Sequence, residues 1–173
     1  MTNDDSFREQ EIIKSSEQKN SFNKELKIVR TFNAPKELLY KAFIDPEYLG
    51  RWWGSYYCQK AVCQLDPEVG GKILIQMTMA NGMDVLLKGE FYELVENKRL
   101  VFTTGTVENS TGNLDIVNLN TVEFEENNGK TNLILKVKMI KSPVERFESA
   151  FNGMIKGWPE SISKLEELIN QII

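Results

Sequence analysis

The side chains that most often carry out chemistry are sparse in this sequence. Histidine is absent from all 173 residues, which removes the serine and cysteine triads, the usual zinc sites and an imidazole proton shuttle. Several acids and a phenol remain, but no two of them have the spacing of a known acid–base motif. They are Asp66, Asp84, Glu90, Tyr92 and Glu123. We therefore predict no catalytic residue, no metal site and no cofactor.

Two further motifs have structural explanations. Gly70 and Gly71 resemble a phosphate-binding loop but lack the following helix and the Lys-Ser/Thr pair, so a tight turn before a strand is the better interpretation. Cys58 and Cys63 are five residues apart on a predicted strand, and this odd spacing points them to opposite faces of a sheet. We expect two free thiols in a reducing cytosol.

Charge and hydropathy narrow the classes of partner. The formal net charge is −4 and no run of Lys and Arg reverses it, which argues against nucleic acid and anionic membranes as partners. No apolar stretch is long enough to span a bilayer. The amino terminus is acidic and polar, unlike a secretory signal. A cytoplasmic protein is expected.

The largest element that could position a site is an amphipathic helix at the carboxyl end. Ser142 and Glu145 form a capping box with Pro143 between them, which predicts a helix over residues 143–172. Gly157 and Pro159 predict a kink or a break. Such a bend could follow a curved sheet or open room for a ligand, and both interpretations stay open. The apolar stripe of this helix consists of Val144, Phe147, Phe151, Met154, Trp158, Ile162, Leu165, Leu168 and Ile172.

The residues before this helix predict a sheet that it could cover. One strand begins at Lys24, two short helices follow at 34–43 and 45–53, and about six strands joined by short turns fill the chain to Lys141. Gly89 interrupts a bulky strand and predicts a bulge, or alternatively the close approach of a helix or a ligand. Alternation assigns these residues to the face toward the helix: Ile73, Ile75, Met77, Met79, Leu100, Phe102, Thr104, Leu133, Leu135, Val137 and Met139.

The predicted fold is α+β, a curved antiparallel sheet around a long carboxy-terminal helix. Residues 24–173 are expected to form a single domain. Residues 1–23 hold few apolar side chains among many charges and amides, and we predict a flexible extension there.

Six segments, in order, resemble the motifs of the START-like (SRPBCC) superfamily over residues 26–169. Its most similar branch is related to the carboxy-terminal domain of the heat shock protein 90 ATPase activator. The resemblance implies the helix-grip fold, which the birch pollen allergen also has. The separate amino-terminal domain of the eukaryotic activators has no counterpart in this sequence. The segments are RTFNAPKELLYKAFIDPEYLGRWWG, DPEVGGKILIQM, the Asn-Gly turn, GEFYELVENKRLVFT, TVEFEENNGKTNLIL and GWPESISKLEEL.

Three functions follow as hypotheses. The first is a non-catalytic module with a cavity for a small hydrophobic or amphipathic ligand. The second is a partner of a chaperone or of another protein, including a second copy of itself. The third is a cyclase-like enzyme that acts within the cavity. Arg51 or Asp66 would meet polar groups of the ligand at the mouth of the cavity. The predicted ligand-binding residues are Trp53, Met77, Phe91, Phe102, Phe151, Met154 and Trp158.

Overall fold

One antiparallel sheet of seven strands organises the protein, in the order β1-β7-β6-β5-β4-β3-β2. The computed structural model describes residues 24–108 and 111–173, so the predicted extension over 1–23 lies outside the described residues. The strands are β1 (Glu25–Phe32), β2 (Cys58–Leu65), β3 (Lys72–Met79), β4 (Asp84–Val95), β5 (Arg99–Val107), β6 (Leu114–Asn127) and β7 (Lys130–Lys141). The helices are α1 (Lys36–Ile44), α2 (Pro46–Trp52) and α3 (Phe147–Ile172), with a 3-10 turn at Val144–Arg146.

Period-two alternation produces the inner face of the sheet, as predicted. In β7, Leu133, Leu135 and Val137 are completely buried, while the residues between them are partly exposed. In β3, Ile73 and Ile75 are buried on the same face. The Asn81-Gly82 turn joins β3 to β4, and Gly82 adopts the positive φ of 83° that such a turn requires.

Helices α1 and α2 connect the two edge strands, because β1 and β2 lie at opposite ends of the strand order. Asp45 starts α2 by accepting a hydrogen bond from the backbone N–H of Glu47 at 2.9 Å. Trp52 has no exposed surface and donates its indole N–H to the carbonyl oxygen of Ala42 at 2.9 Å. This bond holds the two helices together, and the prediction of two short helices is confirmed.

A kink or a break was predicted at Gly157–Pro159; helix α3 is continuous over 26 residues, which excludes the break and leaves the kink a prediction. The helix stays continuous because Pro159 removes only one backbone hydrogen bond. Burial of Trp158 and Ile162 holds the adjoining turn in place. The predicted capping box is wrong, although a first helical turn begins at Val144, one residue after the predicted start. Pro143 has an extended backbone with ψ of 137°, no side chain caps the turn at Val144–Arg146, and Val144 is 72% exposed. The regular helix therefore begins only at Phe147.

The two cysteines share the buried face of β2, which corrects the prediction of opposite faces. The register of β2 against β3 shifts between Cys58 and Lys60, and this irregularity offsets the odd spacing. Both thiols are free and buried. Burial, and then the proximity of Cys58, raise the pKa of the Cys63 thiol to about 12.

Gly89 serves a close approach of two strands, and the bulge predicted there occurs slightly later, between Phe91 and Glu93. A Cβ atom at Gly89 would lie 1.8 Å from the carbonyl oxygen of Thr103 on β5. Only a residue without a side chain fits between these two backbones. Gly70, with φ of 84°, forms the predicted turn before β3. Among the described residues, no helix has the length and apolar composition needed to cross a membrane.

We expect the substitution of glycine by alanine to have opposite effects at two positions. Gly89→Ala should lower the free energy of unfolding by about 1–3 kcal/mol or more, because the new methyl group overlaps the backbone of β5. Gly157→Ala should raise it by up to about 1 kcal/mol, because alanine favours a helix and the nearest atom to its Cβ is 4.0 Å away. Urea unfolding measures the free energy of unfolding of both variants. Equal values would contradict the close approach of two backbones at Gly89 and the open space beside Gly157.

Candidate ligand site

A cavity of about 420 Å³ lies between the amino-terminal half of α3 and the inner face of the sheet. Strands β3 to β7 form its floor, α3 its roof, and the segment after α2 one side. Its wall consists of Trp53, Gly54, Ser55, Met77, Met79, Leu87, Thr104, Thr106, Ile116, Asn118, Met139, Arg146, Ala150, Gly153, Met154, Gly157, Trp158 and Ser161.

Small residues on α3 create this space. Ala150, Gly153, Gly157 and Ser161 follow one another at steps of three or four and face the cavity together. A Cβ atom at Gly153 would meet nothing within 4 Å, so the helix does not fill the volume beneath it. Each glycine costs a helix about 1 kcal/mol relative to alanine. The space therefore comes at the expense of helix stability.

The segment after α2 is fastened to α3 and closes one side of the cavity. The ammonium group of Lys164 donates to the carbonyl oxygens of Trp53 and Gly54, at 3.4 and 3.3 Å. The rings of Trp53 and Trp158 meet edge to face with centroids 5.2 Å apart, a favourable geometry for aromatic pairs. These contacts hold both indoles in the wall.

Polar groups are concentrated where β5 and β6 run beneath α3. The side-chain oxygen of Asn118 is buried and has no hydrogen-bond partner within the described part of the chain. Beside it on β5, Thr104 accepts a hydrogen bond of 3.0 Å from the amide of Asn120. Thr106, one inward position further along β5, donates to the carboxylate of Asp115 at 2.5 Å. The cavity thus has an apolar body and a polar side.

An ion pair stands next to this polar side. Arg146 lies in the cavity wall, is half exposed, and donates to the second carboxylate oxygen of Asp115. Burial alone would raise the pKa of Asp115, but the hydrogen bonds from Thr106 and Arg146, and the charge of Arg146, bring this pKa below its usual value. Asp115 is therefore ionised near neutral pH and acts only as an acceptor.

Four of the seven residues predicted from sequence belong to the cavity wall: Trp53, Met77, Met154 and Trp158. Phe91 and Phe102 instead border a space of about 10 Å³ deeper in the core, which is too small for a ligand. Phe151 stacks on Phe147 with centroids 5.8 Å apart and lies under the ammonium group of Lys24, away from the wall.

The polar residues expected at the mouth also differ. Arg51 is exposed on α2, and Asp66 lies beside β2 and β3 at a separate surface depression. Arg146 and Asn118, rather than Arg51 and Asp66, are polar residues of the cavity wall. Their signal was weak, because Arg146 precedes the regular helix and Asn118 sits on a strand among apolar neighbours. Among the described residues, no three His, Cys, Asp or Glu side chains are grouped as a metal would require.

Solved structures share this architecture over most of the chain. Protein NE0264 from Nitrosomonas europaea is 26% identical, with a TM-score of 0.71 over 85% of this chain and 94% of its own. A protein from Arthrobacter aurescens is 24% identical, with a TM-score of 0.75 over 85% and 86%. Protein CV1439 from Chromobacterium violaceum is 23% identical, with a TM-score of 0.67 over 86% and 98%. The last two likenesses concern the fold alone.

A comparison with curated proteins found no match. The sheet, the two short helices after β1 and the long carboxy-terminal helix confirm the predicted helix-grip fold. The family model described as Activator of Hsp90 ATPase homolog 1-like protein matches residues 33–170. Because this range is most of the chain, the protein belongs to that family, within the START-like superfamily indicated by its sequence.

Proposed function

We propose that this protein binds a small, largely apolar molecule in the cavity beneath α3 and does so without changing it chemically. The observation that carries the proposal is the open cavity of about 420 Å³ between helix and sheet. Pockets for small molecules typically measure roughly 300–1,000 Å³. A folded core otherwise leaves few voids larger than a water molecule.

The composition of the wall also supports binding. Met77, Met79 and Met154 supply thioether side chains, which adapt their shape to different apolar ligands. Trp53 and Trp158 supply flat aromatic surfaces held in place by their mutual contact. Such a wall favours an apolar body, and its polar side offers a place for one or two polar groups.

We further propose a cytosolic location, for which the two free thiols are the support.

Filling the cavity from the helix tests this proposal. We expect Gly157→Leu to reduce the affinity for an aromatic probe, 2-naphthol or 2-methoxynaphthalene, by at least about tenfold. The new side chain would occupy the space beneath α3, where a Cβ atom meets no atom closer than 4.0 Å. The stability of the fold should not fall, because leucine favours a helix over glycine. Quenching of tryptophan fluorescence measures binding, since two indoles lie in the wall.

Asn152→Leu is the matched control. Asn152 is exposed on the same helix and does not belong to the wall, so this variant should bind the probes as the wild type does. The proposal fails if neither probe binds the wild type, or if both leucine variants bind equally well.

A second candidate function is contact with a chaperone, which the name of the family suggests. The observation in its favour is a group of exposed apolar side chains beside the cavity. Tyr56, Tyr57 and Met83 are 61%, 52% and 60% exposed. The backbone N–H of Ala80 donates to the carbonyl oxygen of Tyr57 at 2.8 Å, so the segment before β2 and the turn after β3 adjoin. Exposed apolar groups of this kind often mark protein contacts.

An ATPase assay separates this candidate from ligand binding. If the protein acts only through its cavity, adding it to purified Hsp90 should leave the rate of ATP hydrolysis unchanged. Acceleration that is lost in Tyr57→Ser but kept in Gly157→Leu would instead support the chaperone function. The two substitutions affect different surfaces, so either result is interpretable.

A further inference from the structure

We propose that residues 1–23 of this chain pack across the outer face of the sheet, the face turned away from α3. This face carries a second apolar cluster, separate from the core beneath the helices, which we call the outer cluster. Such packing would give a fixed place to a segment for which the sequence alone favours a flexible extension. The buried members of the outer cluster are Val101, Leu119 and Ile140, and Tyr92 and Val117 pack against them.

The burial of the outer cluster is the first observation. Val101 has no exposed surface, and Leu119 and Ile140 are only 5% and 7% exposed. Ile134 belongs to the same face of β7, a strand with neighbours on both sides, yet it is only partly buried. A place on a central strand therefore does not by itself remove an outer side chain from water. The outer cluster needs a cover that does not extend over Ile134.

An ion pair beside the outer cluster is the second observation. The guanidinium group of Arg99 donates to Glu93 at 3.1 Å and to Glu123 at 2.7 Å. Glu93 pairs with Val101 across β4 and β5, so these charges lie on the outer face as well. The side chains of Arg99 and Glu93 are only 11% and 6% exposed. Because removing ions from water is costly, charges on a face open to solvent stay hydrated. Their low exposure also indicates a cover.

The described part of the chain places no helix on this face. Within residues 24–108 and 111–173, all three helices contribute side chains to the inner core, and the outer cluster consists of strand residues alone. The burial is that of a single chain, so a second copy does not account for it. Residues 109–110 follow β5, which ends at Val107, about 20 Å along the strand from Val101. Residues 1–23 are the remaining part of the chain.

This segment can reach the outer cluster and has suitable side chains. It joins β1 at Glu25, which lines a depression of the outer face together with Lys136 and Lys138. In the strand order, β5 is three strand spacings from β1, about 15 Å, whereas 23 residues span about 35 Å even as a helix. Acidic residues outnumber basic ones in the segment, which suits the two lysines. Its large apolar side chains are Phe7, Ile12, Ile13 and Phe22.

Hydroxyl-radical footprinting by mass spectrometry tests the proposal on the full chain, because the oxidation rate of a side chain follows its exposure to water. Each rate is divided by the rate of the same side chain in unfolded protein. In the wild type, Leu119 and Ile140 should be oxidised several-fold more slowly than Ile134. Both rates should rise several-fold, to about that of Ile134, when all four apolar side chains of the segment are replaced by serine: Phe7→Ser, Ile12→Ser, Ile13→Ser and Phe22→Ser.

The double variant Ile12→Ser/Ile13→Ser should give a smaller rise in the same direction and serves if the fourfold variant does not fold. Its matched control is Ile155→Ser/Ile172→Ser, which removes two exposed isoleucines from α3 on the opposite side of the sheet and should leave both rates unchanged.

Three results would overturn the proposal. The first is a wild-type rate at Leu119 and Ile140 equal to that at Ile134. The second is unchanged protection of both side chains in a folded serine variant, because another part of the protein would then be the cover. The third is protection that disappears on dilution as a dimer dissociates in sedimentation, which would place a second copy on this face.

Discussion

The requirement that one helix cover the concave face of a seven-stranded sheet governs this structure. The carboxy-terminal half of α3 meets it with Ile162, Leu165 and Ile169, which have no exposed surface. Burial of each such side chain contributes about 1.5–3 kcal/mol before entropy is counted. The amino-terminal half of α3 carries Gly153 and Gly157 beside the buried Met154 and Trp158, and it leaves part of the face beneath it uncovered by side chains. A firmly packed half therefore anchors a helix whose other half spans an open space.

The fold could be predicted largely from local patterns, because alternation in the strands and the Asn-Gly turn act over only a few residues. Features that depend on the path of neighbouring strands could not be predicted from local patterns. The spacing of Cys58 and Cys63 indicated opposite faces, and only the register shift beside Cys58 places both on one face. Ser142 and Glu145 are the residue types of a capping box, but the backbone of Pro143 is extended. The regular helix therefore begins further along the chain. Residue types alone do not encode these tertiary constraints.

The cavity lies between sheet and helix, where the sequence predicted one, but only four of the seven predicted residues belong to its wall. Hydrophobic periodicity identifies large side chains, and it therefore selected Phe151, which packs under Lys24, and overlooked Gly153, which lines the cavity. An absence of side chain gives no hydrophobic signal, although it is what makes room for a ligand. The buried oxygen of Asn118, which has no hydrogen-bond partner in the residues that the structure describes, could not be predicted either, because its surroundings are formed by three strands and a helix at once.

An accessible apolar space beneath α3 can be detected in a crystal of the protein under xenon pressure. Xenon enters apolar cavities and does not need the natural ligand to be known. We expect xenon in contact with Met77 of the sheet and with Met154 and Trp158 of the helix, which all lie in the cavity wall. A crystal in which side chains fill this volume and no xenon binds between α3 and the sheet would contradict it.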